Sequence, residues 1–173
     1  MDVDPRPEAC SPGKDTISGI LVRLTVGGDR YLRLLIGSDG ALERGGRGEK
    51  EFMGKTVTGD LFSQILESVT PDLLRWSGQS WSDPAARGKT CELLIGFRLA
   101  DGSETAIRWE YGSDSPEPPR EVREFVLAAV ECTNPWYRRQ IELRQQRARR
   151  PKSEGWRLVS LWPTVDASME NSR

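Results

Sequence analysis

The fold is decided by residues 20–36, ILVRLTVGGDRYLRLLI. Ile20, Val22, Leu24 and Val26 alternate with Leu21, Arg23 and Thr25, the period of two that gives a β-strand one buried face. Beyond Gly27-Gly28-Asp29, the residues Leu32, Leu34 and Ile36 resume the alternation. Parity fixes which face a side chain takes, so the length of the turn decides which residues meet. A three-residue loop pairs Leu24 with Leu32 and Val22 with Leu34, keeping both apolar sets on one face. A two-residue loop would set Val22 opposite Arg33. The spacing therefore predicts a hairpin with one apolar face.

Residues 93–111 repeat the design. Leu93, Ile95, Phe97 and Leu99 alternate, Asp101-Gly102 turns the chain, and Thr105, Ile107, Trp109 and Tyr111 alternate on return. Parity again selects a three-residue loop, Ala100-Asp101-Gly102, with Gly102 in the left-handed position of a bulge. It sets Ile95 opposite Ile107 and Leu93 opposite Trp109. Each hairpin is followed by an apolar stripe at helical spacing. The first, opening near Thr58 or Asp60, carries Leu61, Phe62, Ile65, Leu66 and Val69; the second carries Val122, Phe125, Val126, Ala129 and Val130. Thr70-Pro71-Asp72 has the pattern of an N-cap followed by proline at the first helical position, which predicts a short extra turn.

The expected fold class is α+β: an antiparallel sheet from two β-hairpins with two helices on one face, in ββαββα order. A short strand over 41–44 extends the first hairpin. Residues 45–51 and 77–90 lack periodicity and are expected to be loops, with Trp81 tucked against the core. Asn134-Pro135 is expected to end the second helix. A basic helix over 136–150 and the short strand-like WRLVSLWP follow. The domain organisation expected is a flexible, Pro-rich arm at 1–15, an α+β domain at 16–133 and a basic, tryptophan-containing extension at 134–173.

Composition narrows the chemistry. The chain has 173 residues and no histidine. That removes the Ser/His and Cys/His nucleophile pairs and the commonest metal ligand. Cys10, Cys91 and Cys132 are odd in number and widely spaced, against a disulfide framework or a cysteine zinc site. Gly54-Lys55-Thr56 and Gly88-Lys89-Thr90 imitate the end of a phosphate loop, but neither has the upstream glycine at the required spacing. The carboxylates Asp60, Glu67, Asp72, Asp83, Glu92 and Glu110 fall on different elements, and no spacing marks a pair. No apolar run approaches the roughly 18–20 residues that cross a bilayer. MDVDPRPEAC has neither the basic nor the apolar region of a signal peptide. No metal, cofactor or small-molecule ligand is expected, and a cytoplasmic location is.

Two surfaces remain. On the sheet face opposite the helices, parity places Arg23, Arg33, Arg98 and Arg108 beside Leu21, Tyr31, Leu35, Leu94 and Ala106. Guanidinium groups among apolar side chains suit an acidic segment, a phosphate backbone or a partner's sheet. The plainer alternative is that the arginine stems merely cover an exposed sheet and pair with Glu92, Glu104 and Glu110. The second surface is the stretch 138–152, with seven Lys/Arg against one Glu, a net of +6; the total of −1 leaves −7 elsewhere. There Arg138, Arg139, Arg144, Arg147, Arg149 and Arg150 are candidates for phosphate or an acidic partner, or form an ordinary solvated helix. The sequence thus points first to a non-enzymatic interaction protein, an accessory or regulatory subunit that binds another protein. A nucleic-acid-binding factor acting through 138–152 is second, and a small carboxylate-dependent hydrolase third.

Overall fold

The computed structural model describes residues 12–46, 51–55 and 60–149. The first hairpin forms as β1 (Ile17–Val26) and β2 (Asp29–Gly37), with Leu24 opposite Leu32 and Val22 opposite Leu34 as expected. The turn reaches that register by another route. Gly27 and Gly28 both have positive φ (59° and 85°) and make a two-residue turn, leaving Val26 opposite Asp29 and Thr25 opposite Arg30. The register then shifts, with Tyr31 as the extra residue, and parity is restored. Glycine tolerates this left-handed backbone where other residues are strained, and a bulge absorbs the odd residue.

The second hairpin, β6 (Thr90–Leu99) and β7 (Glu104–Gly112), matches the sequence reading. Ile95 faces Ile107 and Leu93 faces Trp109. Gly102 has φ 85°, and the Leu99 N–H donates to the Ser103 carbonyl at 2.8 Å across the loop.

The sheet is larger than two hairpins. Three short strands join it: β3 (Ala41–Gly46), β4 (Phe52–Lys55) and β5 (Ser80–Ser82). The order is β4-β3-β2-β1-β6-β7-β5, with β5 parallel to β7 and every other pairing antiparallel. The seven-stranded mixed sheet corrects the expected two-hairpin antiparallel sheet and its ββαββα order. It also corrects two expected loops, since β3 runs to Gly46 and β5 lies within 77–90. The physical reason is that a strand of three or four residues, such as Ser-Trp-Ser, is too short to show a period. It is held by hydrogen bonds to a neighbour, which composition does not reveal.

The α-helices among the described residues lie on the apolar face. They are α1 (Asp60–Glu67), α2 (Pro71–Leu74) and α3 (Arg120–Arg149). Thr70 caps α2, its hydroxyl accepting from the Leu73 N–H at 3.1 Å, with Pro71 at the first position. One core joins Ile20, Val22, Leu34, Ile36, Ile95, Phe97 and Ile107 from the sheet to Phe62, Ile65, Leu73, Val122 and Phe125 from the helices. Each such side chain contributes about 1.5–3 kcal/mol by leaving water. At one end Trp76 meets Trp109 edge-on, and Trp81 stacks on Trp109 at 4.5 Å while staying 38% exposed.

The break expected at Asn134-Pro135 does not occur. A single helix of 30 residues runs through it, with Pro135 inside. Proline lacks the N–H that the Glu131 carbonyl would accept, and the turn just before it is tied to β3 through Arg44. Its Nη1 donates to the Val130 carbonyl (3.1 Å) and the Thr133 hydroxyl (2.7 Å), and its Nη2 to Asn134 Oδ1 (2.7 Å). The same guanidinium lies over the Tyr137 ring, 4.8 Å from its centroid. Tertiary contact overrides the local signal. The basic helix expected over 136–150 is therefore the far end of α3. Arg150, the strand-like WRLVSLWP and most of the expected N-terminal arm lie outside the described residues.

Candidate partner-binding face

The sheet face away from the helices is built from rows of residues that lie opposite one another on successive strands. One row reads Arg33, Arg23, Leu94, Arg108 and Ser80, from β2 across β1, β6 and β7 to β5. On one side of it runs Glu43, Leu35, Leu21, Gly96, Ala106. Beyond that lies Gly37, Gly19, Arg98, Glu104. On its other side runs Arg30, Thr25, Glu92, Glu110, Ser82. The face is thus banded into an acidic row, a basic row, an apolar row, and a row with glycines and an ion pair.

The expected residues Arg23, Arg33, Arg98 and Arg108 do share this face. Two of them are neutralised: Arg98 pairs with Glu104 at 3.1 Å, as the plainer reading expects, and Arg33 pairs with Glu43, a partner that reading did not name. The other two are not. The guanidinium groups of Arg23 and Arg108 have no hydrogen-bond or ion-pair partner among the described residues. Arg23 also lies directly opposite Arg33, a like-charge cross-strand pair that disfavours the sheet. Tyr31, at the bulge, is half-buried.

The apolar row forms the floor of a hollow of about 730 Å³ bordered by Arg33, Arg98, Arg108, Glu104 and Asp39. A smaller hollow of about 360 Å³ adjoins Arg23, Arg108, Glu92, Glu110 and Trp81. Sequence reasoning missed that Glu92 and Glu110 are cross-strand neighbours, because the register of β6 on β7 brings them together across 18 residues of chain. Only the turn length, which fixes that register, could have signalled it.

The second surface is differently organised. The buried stripe of α3 runs Val122, Phe125, Ala129, Thr133, Tyr137. At the same spacing it continues as Gln140, Arg144 and Arg147, so the last turns of the helix overhang the body. Arg138, Arg139, Arg144, Arg147 and Arg149 are exposed, and Arg139 pairs with Glu142 at 3.3 Å. Arg150 is outside the described residues.

No group of three His, Cys, Asp or Glu side chains among the described residues is placed to hold a metal. Gly88-Lys89-Thr90 leads into a strand, β6, where a phosphate loop needs a helix. Burial raises the thiol pKa of both Cys91 and Cys132, so neither is an activated nucleophile. No helix among the described residues is long and apolar enough to cross a membrane. Comparison with known proteins found no family model that matches the chain, and no similar curated protein or solved structure.

Proposed function

We propose that this chain is a non-enzymatic interaction protein of the cytoplasm, an accessory or regulatory subunit that binds another protein on its open sheet face. The observation that carries the reading is the pair of guanidinium groups, Arg23 and Arg108, that have no partner among the described residues and are set either side of Leu94. Charged side chains beside an apolar floor are the make-up of an interface centre, where arginine is enriched. Amide hydrogen exchange on the complex purified from its native host tests this. New protection is expected in β1, β6 and β7; protection confined to α3 beyond Tyr137 would overturn it.

A second reading has its own support. The overhang of α3 carries five exposed arginines where its core stripe has ended, which suits a phosphate backbone. Binding of RNA or DNA that weakens steeply with salt, and is lost on replacing Arg144, Arg147 and Arg149 with glutamate, would favour it over the first.

A further inference from the structure

Glycine inside a strand weakens a sheet and needs a reason. Gly96 lies in the middle of β6 without the positive φ that would require glycine. A Cβ added there would meet nothing closer than the Leu21 Cβ at 3.5 Å, an ordinary contact. Neither backbone nor packing therefore demands glycine at this position. What the missing side chain provides is depth, continued by Ala106 beside it, between the larger Leu21 and the arginine row. The result is a trough running across the strands, with Arg33 and Arg108 along one bank and the Arg98–Glu104 pair on the other; Arg23 stands in the same row as Arg33 and Arg108 and borders the adjoining smaller hollow.

We propose that this trough takes an acidic segment of another protein, with an apolar side chain seated over Gly96 and Ala106 and carboxylates held by Arg23 and Arg108. The inference rests on the open-face reading above and adds the chemistry of the partner. Charge complementarity selects the occupant. The two guanidinium groups without partners among the described residues share the arginine row beside the trough, about two strand spacings or roughly 10 Å apart. That separation is within reach of carboxylates two or three residues apart on an extended chain, at about 3.3 Å per residue. Glu92 and Glu110 border the arginine row on the side away from the trough, so they limit where an acidic chain lies. A second copy is a poorer fit, because stacking the same face on itself adds further arginines to an unneutralised row. Nucleic acid is also a poorer fit, because the aromatic side chains beside the rows among the described residues are the half-buried Tyr31 and Trp81, whose ring is already stacked on Trp109, and base stacking needs free ring faces.

The test is an NMR titration of the full chain with a short peptide alternating glutamate and leucine. The expected result is saturable shifts at the amides of Leu21, Leu94, Gly96 and Ala106. The double variant Arg23→Ala/Arg108→Ala should weaken binding at least tenfold, and Ala106→Leu, which fills the trough without removing charge, should do the same. Three results would overturn the inference: equal binding of the peptide with lysine for glutamate; preferential binding of single-stranded RNA on the same amides; or a dimer in sedimentation that Ala106→Leu dissociates. If a native partner protects β1, β6 and β7 while the acidic peptide fails to bind, the proposed function stands and this inference falls.

Discussion

Along β6, neighbouring residues have opposite fates. Phe97 is buried against Phe125, with ring centroids 6.1 Å apart, while Arg98 next to it is exposed and paired only with Glu104. Phe97→Ala should cost about 3–5 kcal/mol, the transfer term plus the cavity left behind. Arg98→Ala should cost under about 1 kcal/mol, as expected of an exposed ion pair. Urea denaturation of both variants checks this, and a larger loss for Arg98 would invert the assignment of the faces. Glu121 offers a test through pH. The Trp76 indole N–H donates to its carboxylate at 2.8 Å and holds its pKa below the ordinary glutamate value. A carboxylate depressed in the folded state lends stability above its unfolded pKa and loses it as pH falls through the folded one. Glu121→Gln should therefore reduce stability at neutral pH and flatten the acid side of the stability profile. An acid limb as steep as the parent's would contradict this contact.

Elements were legible from the sequence where they were long and periodic. The second hairpin with its register and three-residue loop ending in Gly102, the core pairs of the first and the Thr70 cap follow from spacing, whereas the two-residue turn and bulge of the first hairpin do not. The strands β4 and β5 do not, because Phe52–Lys55 and Ser80–Ser82 belong to the sheet by virtue of the neighbours they meet. The proline in α3 misled for a related reason. Its local signal is to stop, and the contacts that anchor the turn before it come from Arg44, 91 positions earlier in the chain. Arg44→Ala should cost about 2–3 kcal/mol by stranding buried acceptors. Arg44→Lys should not restore it, since an ammonium cannot copy the planar fork. Pro135→Ala should stabilise α3, because an interior proline disfavours a helix. Thermal unfolding of the three variants checks the account, and an undiminished melt for Arg44→Ala would remove the clamp from it.

Among the described residues the molecule is a two-layer structure, with the α-helices over one face of the sheet and nothing over the other. The candidate surface was half-visible in the sequence. Parity placed Arg23, Arg33, Arg98 and Arg108 on one face. It did not show that Glu43 and Glu104 neutralise two of them and leave the other two without partners among the described residues, since those pairings depend on side-chain reach across strands. Nor did it show the trough, which exists because Leu21, Gly96 and Ala106 fall in one row. The measurement that bears most directly on the open face is the affinity of the native partner for two variants with an unchanged melt. Arg23→Ala/Arg108→Glu should weaken the complex by about 2 kcal/mol or more, as loss of central arginines does, while Arg144→Glu/Arg147→Glu should leave it within about 0.5 kcal/mol. The reverse pattern would move the binding surface to the end of α3 and contradict the assignment of the sheet face.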